Sequence, residues 1–408
     1  MLLLKLSWRN IWRNGRRTLL TAGTIAVALG LATWFLAIAN GMYGRLLYEV
    51  LRMQAGNLTV EHVHHLEAPS IDLMLDDVPA LRQRLAALDD VAQTKELVVG
   101  QAVASSGDGA VGVAIVGVQP SVEASMSPLL KRLVAGEYLA DGDDRSIVVG
   151  AELARRLGLE LGSKLVLSSN DVHGQLGQEL VRVKGIFRTG SMDLDAYYVQ
   201  VPIRFARRLF DMQPTQATQV GIILKNPQRQ ARALAAARRV LHGNEQVRVW
   251  PWQQILPELS TFMKVDKGSN YVLQVIILLM AMFTVFNTVL MAALERKREF
   301  AVMLALGTSP GRVRAQLLME TVLLGAIGAT LGVLLGCCLA WATDGVSLQS
   351  FMKDGFEVGG FLVDPVLRAK LSLRITVGLG SVMVLLISLM SLVPMARLGK
   401  LRITDTFR

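Results

Sequence analysis

The chain has 408 residues, 52% of them hydrophobic and only 19% charged, with a formal net charge of +10 and a mean hydropathy of +0.40. A soluble protein of this length carries more charge and spreads its apolar residues over two or three cores. The positive excess sits in three short segments beside apolar runs and on no candidate domain, which argues against a nucleic-acid partner.

The first segment, 1–18, reads "LLLKLSWRNIWRNGRR" over residues 2–17 and carries five bases and no acid. Leu4, Trp8, Ile11 and Trp12 share one helical face, so an amphipathic interfacial helix is expected, with tryptophans at headgroup depth and arginines on phosphates. Residues 18–44 are free of charge and long enough to cross a hydrocarbon core of about 30 Å; a first span is expected over 19–44. "AIA" at 37–39 and Arg16–Arg17 have a faint likeness to export signals. The apolar run exceeds the roughly 7–15 residues of a signal core, so an uncleaved helix is expected.

Residues 45–270 read as one large insertion, with 25 bases and 25 acids, whose domain occupies 45–257. Strands are expected at 56–63, 110–118, 164–169, 180–187 and 219–225. Helices are expected at 149–158, 227–241 and 77–91, the last capped by Asp77 with Pro79 in its first turn. The interleaving predicts an α+β domain, with room for one subdomain inserted in another. The insertion has no cysteine, so no disulfide supports it. Trp250, Trp252 and Pro257 suggest a stiff stalk leading to a second span, the two together occupying 258–294.

Residues 295–314 carry five bases and two acids. Glu295, Arg298 and Glu299 stand at i, i+3 and i+4 and support a helix continuing out of the second span. Phe300, Met303 and Leu304 form an apolar stripe with Val302 and Leu306 beside it. Gly307 suits a left-handed helix end, Ser309 an N-cap and Pro310 a first turn. The result is a helical elbow, either skimming the membrane or docking its stripe on a partner; the residues alone leave both open. The third span, 315–343, has Gly325, Gly328, Gly332 and Gly336, the last three on one flat face for close packing within the bundle or in a dimer. Glu320, at its start, is expected to pair with Arg314 or Arg17. A loop at 344–374, a fourth span at 375–396 and a basic tail at 397–408 follow. With four spans, all three basic segments lie on one side, which the positive-inside rule makes the cytoplasm.

Catalytic patterns are missing: no G-x-x-x-x-G-K-[ST], H-E-x-x-H, G-x-S-x-G or C-x-x-C occurs. His62, His64 and His65 lack a carboxylate or cysteine at ligand spacing, so no metal is expected. Cys337 and Cys338 read as packing residues. A non-enzymatic membrane subunit is expected.

The stretch "ERKREFAVMLALGTSPGRVRAQLLMETVLLGAIGATLGVLLG" (295–336) resembles the signature of the FtsX-like permease family. "LSWRNIWRNGRRT" (6–18) resembles the start of its lipoprotein-releasing LolC/LolE group. "IVVGAELARRLGLELGSKLVL" (147–167) and "VKGIFRTG" (183–190) resemble the outer domain shared with MacB-type transporters. Pro394 and Arg397 fit the group's tail, but "ITDTFR" replaces its usual Glu–Ala–Leu–Arg, and no fused ATPase is present as in MacB. The resemblance implies an inner-membrane ABC permease with a large α+β periplasmic domain between the first and second of four transmembrane helices. It implies a separate LolD/MacB-like ATPase dimer holding ATP and magnesium, with no cofactor on this chain. Glu295, Arg296, Arg298, Glu299, Phe300, Val302, Met303, Leu304, Leu306 and Gly307 are then the ATPase-coupling helix. A second permease, identical or different, is implied, with a periplasmic adaptor or lipoprotein left open. Lipoprotein release is the first function implied; MacB-like efflux and FtsX-like control of wall hydrolases are alternatives.

Overall fold

The computed structural model describes residues 2–347, 356–358, 361–363 and 366–398; most of the loop at 348–365 and the tail at 399–408 lie outside the described residues. Two units form, a helical one and a sheet-based one built mainly from 44–263.

Four helices in the described residues are long and apolar enough to cross a membrane: Gly15–Met53, Pro257–Glu295, Pro310–Thr343 and Leu373–Leu392. They are called here the first to fourth spans. Ile25, Leu278, Val285, Met383 and Ile387 form their shared interior. Before the first span lies the helix Leu2–Arg13, which buries Ser7 and Ile11 and leaves Trp8 and Trp12 exposed. Ile11 therefore packs on protein, and the two tryptophans supply the lipid-facing side. Thr18 Oγ1 donates to the Ile11 carbonyl at 2.5 Å, which fixes the turn between this helix and the first span.

The sheet unit contains β1 (Leu58–His62), β2 (Val91–Ser105), β3 (Ala110–Val118), β4 (Leu133–Gly136), β5 (Ser146–Gly150), β6 (Lys164–Asn170), β7 (Leu176–Phe187), β8 (Tyr198–Pro202), β9 (Gln219–Leu224) and β10 (Val247–Pro251). They run in the order β10-β1-β9-β2-β3-β8-β5-β7-β4, with β6 pairing to β2 and β7. The first part of β2 pairs with β9 and its remainder with β3 and β6. One strand thus belongs to two lobes, the topology of a subdomain inserted within another. The expected strands and helices are all present, the helix at 77–91 shortened to Val78–Ala86 and that at 149–158 to Ala151–Arg156, with 149–150 ending β5. Asp77 precedes that helix in a left-handed conformation and makes no side-chain cap.

β2, β4, β5, β8 and β10 are additions to the sequence reading. β5 and β8 are buried almost throughout, and both have a parallel neighbour, so neither alternates polar with apolar. β2 carries polar residues in its first half that resemble a loop, yet Thr94, Lys95 and Glu96 are buried. Lys95 lies 3.2 Å from Glu123, each side chain 2% exposed, and also donates to the Arg52 carbonyl. Glu96 is met by Arg207 at 3.3 Å and by the Gln119 amide at 2.6 Å. Trp250 and Trp252 correct the expected stalk. Trp250 pairs with Thr59 in the sheet and Trp252 is buried, so of the three residues only Pro257 opens the long helix.

Candidate coupling site

The second span ends at Glu295, Arg296 leaves helical geometry, and a new helix runs Lys297–Ala305. The expected uninterrupted continuation is therefore a helix, a bend and a short helix. Its far end is closed by two hydrogen bonds, Gly307 N–H to the Leu304 carbonyl at 3.1 Å and Thr308 N–H to the Met303 carbonyl at 3.0 Å. That pattern needs a left-handed residue, and Gly307 supplies it at φ 88°. Ser309 then stands at the N-cap position without a side-chain cap, and Pro310 opens the third span.

Burial divides the expected apolar stripe in two. Phe300 is 4% exposed and packs with Val313 and Leu317 of the third span, with Met303 and Leu304 beside it. Phe300 thus holds the elbow against its own chain, and Met303 and Leu304 are half-buried beside it, so the stripe is not an open surface throughout. The surface left bare comprises Val302, 47% exposed, and Leu306, 81% exposed. Arg298, also exposed, lies one turn before Val302 on the same face.

Charged residues tie the elbow to the chain's first helices. Arg17 meets Glu295 at 2.6 Å and Arg13 meets Glu299 at 2.5 Å. Arg296 bridges Glu299 at 3.0 Å and Glu320 at 2.8 Å, and Asn10 donates to Glu320 at 2.7 Å. Arg296, ahead of Arg13, holds the Glu299 carboxyl below its ordinary value by hydrogen bonding. Two expectations are corrected here. Glu320 pairs with Arg296, not with Arg314 or Arg17, and Glu295 and Glu299 turn to Arg17 and Arg13 instead of Arg298. Sequence reasoning missed Arg13 and Arg17 as partners of the elbow. The available signal was their spacing of four, matched by Glu295 and Glu299, since residues four apart share a helix face.

The glycines of the third span face two neighbours. A Cβ on Gly328, Gly332 or Gly336 would lie 2.7, 2.9 or 2.6 Å from the Cβ of Ile25, Leu29 or Thr33 in the first span. Gly325 instead faces Ile387 of the fourth span at an ordinary 3.6 Å. Among the described residues no group of three His, Cys, Asp or Glu is placed to hold a metal. His62 and His64 lie 5.6 Å apart, and His65 is buried.

Four spans, a large α+β insertion after the first and a short helix bridging the second and third define a polytopic membrane permease. The chain belongs to the MacB-like periplasmic core domain family, whose model matches residues 18–240, and residues 271–402 match that of the FtsX-like permease C-terminal region. It is thus an ABC transporter permease of the LolC/LolE and MacB type, in the bacterial inner membrane. It is 25% identical to the lipoprotein-releasing system transmembrane protein LolC of Neisseria meningitidis serogroup B, over 81% of this chain and 79% of that one. Identity to LolE of Haemophilus influenzae is 24%, over 78% of this chain and 76% of the relative. The macrolide export ATP-binding/permease protein MacB of Nitrosomonas europaea is 24% identical, over 82% of this chain and 50% of that protein.

Proposed function

We propose that this chain is a membrane subunit that converts ATP hydrolysis in a separate ATPase dimer into work outside the membrane, releasing lipidated cargo from the inner membrane. In this reading the basic segments and the elbow face the cytoplasm and the 45–257 domain faces the periplasm. The confinement of excess positive charge to segments beside the spans supports that orientation. The observation that carries the reading is the elbow itself: a short helix fastened to its own chain by Phe300 and by ion pairs, presenting Val302 and Leu306 outward. Apolar side chains at the tip of a fixed helix suit a groove on a folded partner.

ATP-driven closure of that partner would move the elbow, and with it the helix Pro257–Glu295, which runs unbroken for 39 residues. The charge-free runs within the spans support work done outside the membrane over passage through it. A second permease chain, alike or different, completes the assembly in this reading. The similarity to LolC and LolE supports lipoproteins as cargo; the similarity to MacB supports, as a second reading, expulsion of periplasmic molecules.

Leu306→Asp tests the docking assignment. Burying an unpaired carboxylate in an apolar groove costs several kcal/mol, so ATPase binding is expected to weaken at least about tenfold, with loss of cargo-dependent ATPase stimulation in reconstituted membranes. Full stimulation in this variant overturns the assignment.

A further inference from the structure

A cavity of about 110 Å³ lies beneath the N-terminal helix, walled by that helix and the first three spans. Its lining includes three arginines, Arg13, Arg17 and Arg296, and one acid, Glu320. Glu299 and Glu295 offset Arg13 and Arg17, and the positive excess comes from the surrounding segments, with five bases and no acid in 1–18 and five bases and two acids in 295–314. Glu295 and Glu299, which pair with Arg17 and Arg13, are not among the lining residues. Each of these two pairs engages a single Nη2, and a guanidinium has five N–H donors. Donors therefore remain for an anion entering the cavity.

Polarity changes along the cavity. Arg17 and Glu320 line the cavity toward the N-terminal ends of their spans, and Thr21 and Leu324 line it four residues farther along, about 6 Å on. Val289 and Leu324 belong to the apolar wall. The exposed Trp8 and Trp12 on the covering helix suit headgroup depth. Guanidinium groups at one end, threonine hydroxyls along the walls and the side chains of Val289 and Leu324 farther in supply partners for the phosphate, the glycerol esters and the start of an acyl chain of a phospholipid.

We propose that this cavity binds one anionic phospholipid of the cytoplasmic leaflet, its phosphate on Arg13 and Arg17 and the start of an acyl chain against Val289 and Leu324. The proposal rests on the orientation given above. A free phosphate shares the guanidinium chemistry but makes no use of the apolar side chains.

The full chain with its ATPase, in nanodiscs holding phosphatidylglycerol and phosphatidylcholine in equal amounts, is extracted and its retained lipid read by native mass spectrometry. Retention of phosphatidylglycerol about tenfold above phosphatidylcholine is expected, and R13Q/R17Q is expected to abolish the preference. Because R13Q/R17Q also breaks two ion pairs, Ala292→Phe is the second variant: it fills the cavity, leaves every charge in place, and should likewise lose the lipid. Equal retention of the two lipids by the native chain overturns the proposal. So does retention unchanged in Ala292→Phe, or displacement of the lipid by millimolar inorganic phosphate alone. Leu306→Asp separates the two readings: it should retain the lipid while losing ATPase stimulation. Stimulation kept with lipid retained rejects docking and leaves the lipid site standing.

Discussion

Gly332 and Gly325 lie two turns apart on one helix, yet a methyl group meets different surroundings at each. At Gly332 it would press on Leu29 Cβ at 2.9 Å and the Ala26 carbonyl at 3.0 Å, both close to the backbone of the first span. At Gly325 it meets only Ile387 at 3.6 Å. Gly332→Ala is expected to destabilise the chain by about 1–3 kcal/mol, the usual cost of overpacking, and Gly325→Ala to change little; thermal unfolding in detergent compares them. Glu61 in β1 is only 1% exposed. Burial pushes its carboxyl up from 4.5 to about 7, against a smaller opposing hydrogen bond from Gln219, and its Oε1 has no hydrogen-bond partner. The folded domain thus binds the proton more tightly than the unfolded chain. The contribution of Glu61 to stability should be fullest below pH 4.5, fall as pH rises to about 7, and stay lower above it. The loss amounts to roughly 3 kcal/mol. Hydrogen exchange of β1 in the full chain, followed across that range, checks the slope, and Glu61→Gln should flatten it.

At the scale of the element, the helix Lys297–Ala305 has two apolar surfaces with opposite duties. Phe300 fastens it to the third span, while Val302 and Leu306 remain bare. Phe300→Asp should therefore detach the elbow, lower its protection from proteolysis and reduce the yield of folded protein. Leu306→Asp should leave yield and protease resistance at the native level while ATPase coupling fails. Limited proteolysis of both variants, read against ATPase stimulation, distinguishes them; equal behaviour would remove the division of labour. The spacing of the stripe was readable in the sequence because residues three and four apart share a helix face. Which residues faced inward was not readable, since that depended on Val313 and Leu317 folding back from beyond Gly307. β5 and β8 escaped notice for a related reason: a strand covered on both faces has no period of two to detect.

For the whole molecule, orientation is the property to test. In a background lacking Cys337 and Cys338, Gln175→Cys lies in the exposed turn between β6 and β7, and Arg298→Cys lies on the elbow. An impermeant maleimide added to intact spheroplasts should label the first at once and the second only after permeabilisation; the reverse order would refute the proposed arrangement. The four spans and the insertion after the first followed from the sequence alone, because a bilayer demands long charge-free helices and leaves them unmistakable. The family resemblance was likewise carried by contiguous residues. Tertiary structure alone decided that Glu320 meets Arg296, that Arg13 and Arg17 reach Glu299 and Glu295, and that Trp250 joins a sheet. Hydropathy is summed along the chain, so local composition reveals it. An ion pair across 286 residues, such as Arg13 with Glu299, depends on which helix faces pack together, and only the folded molecule settles that.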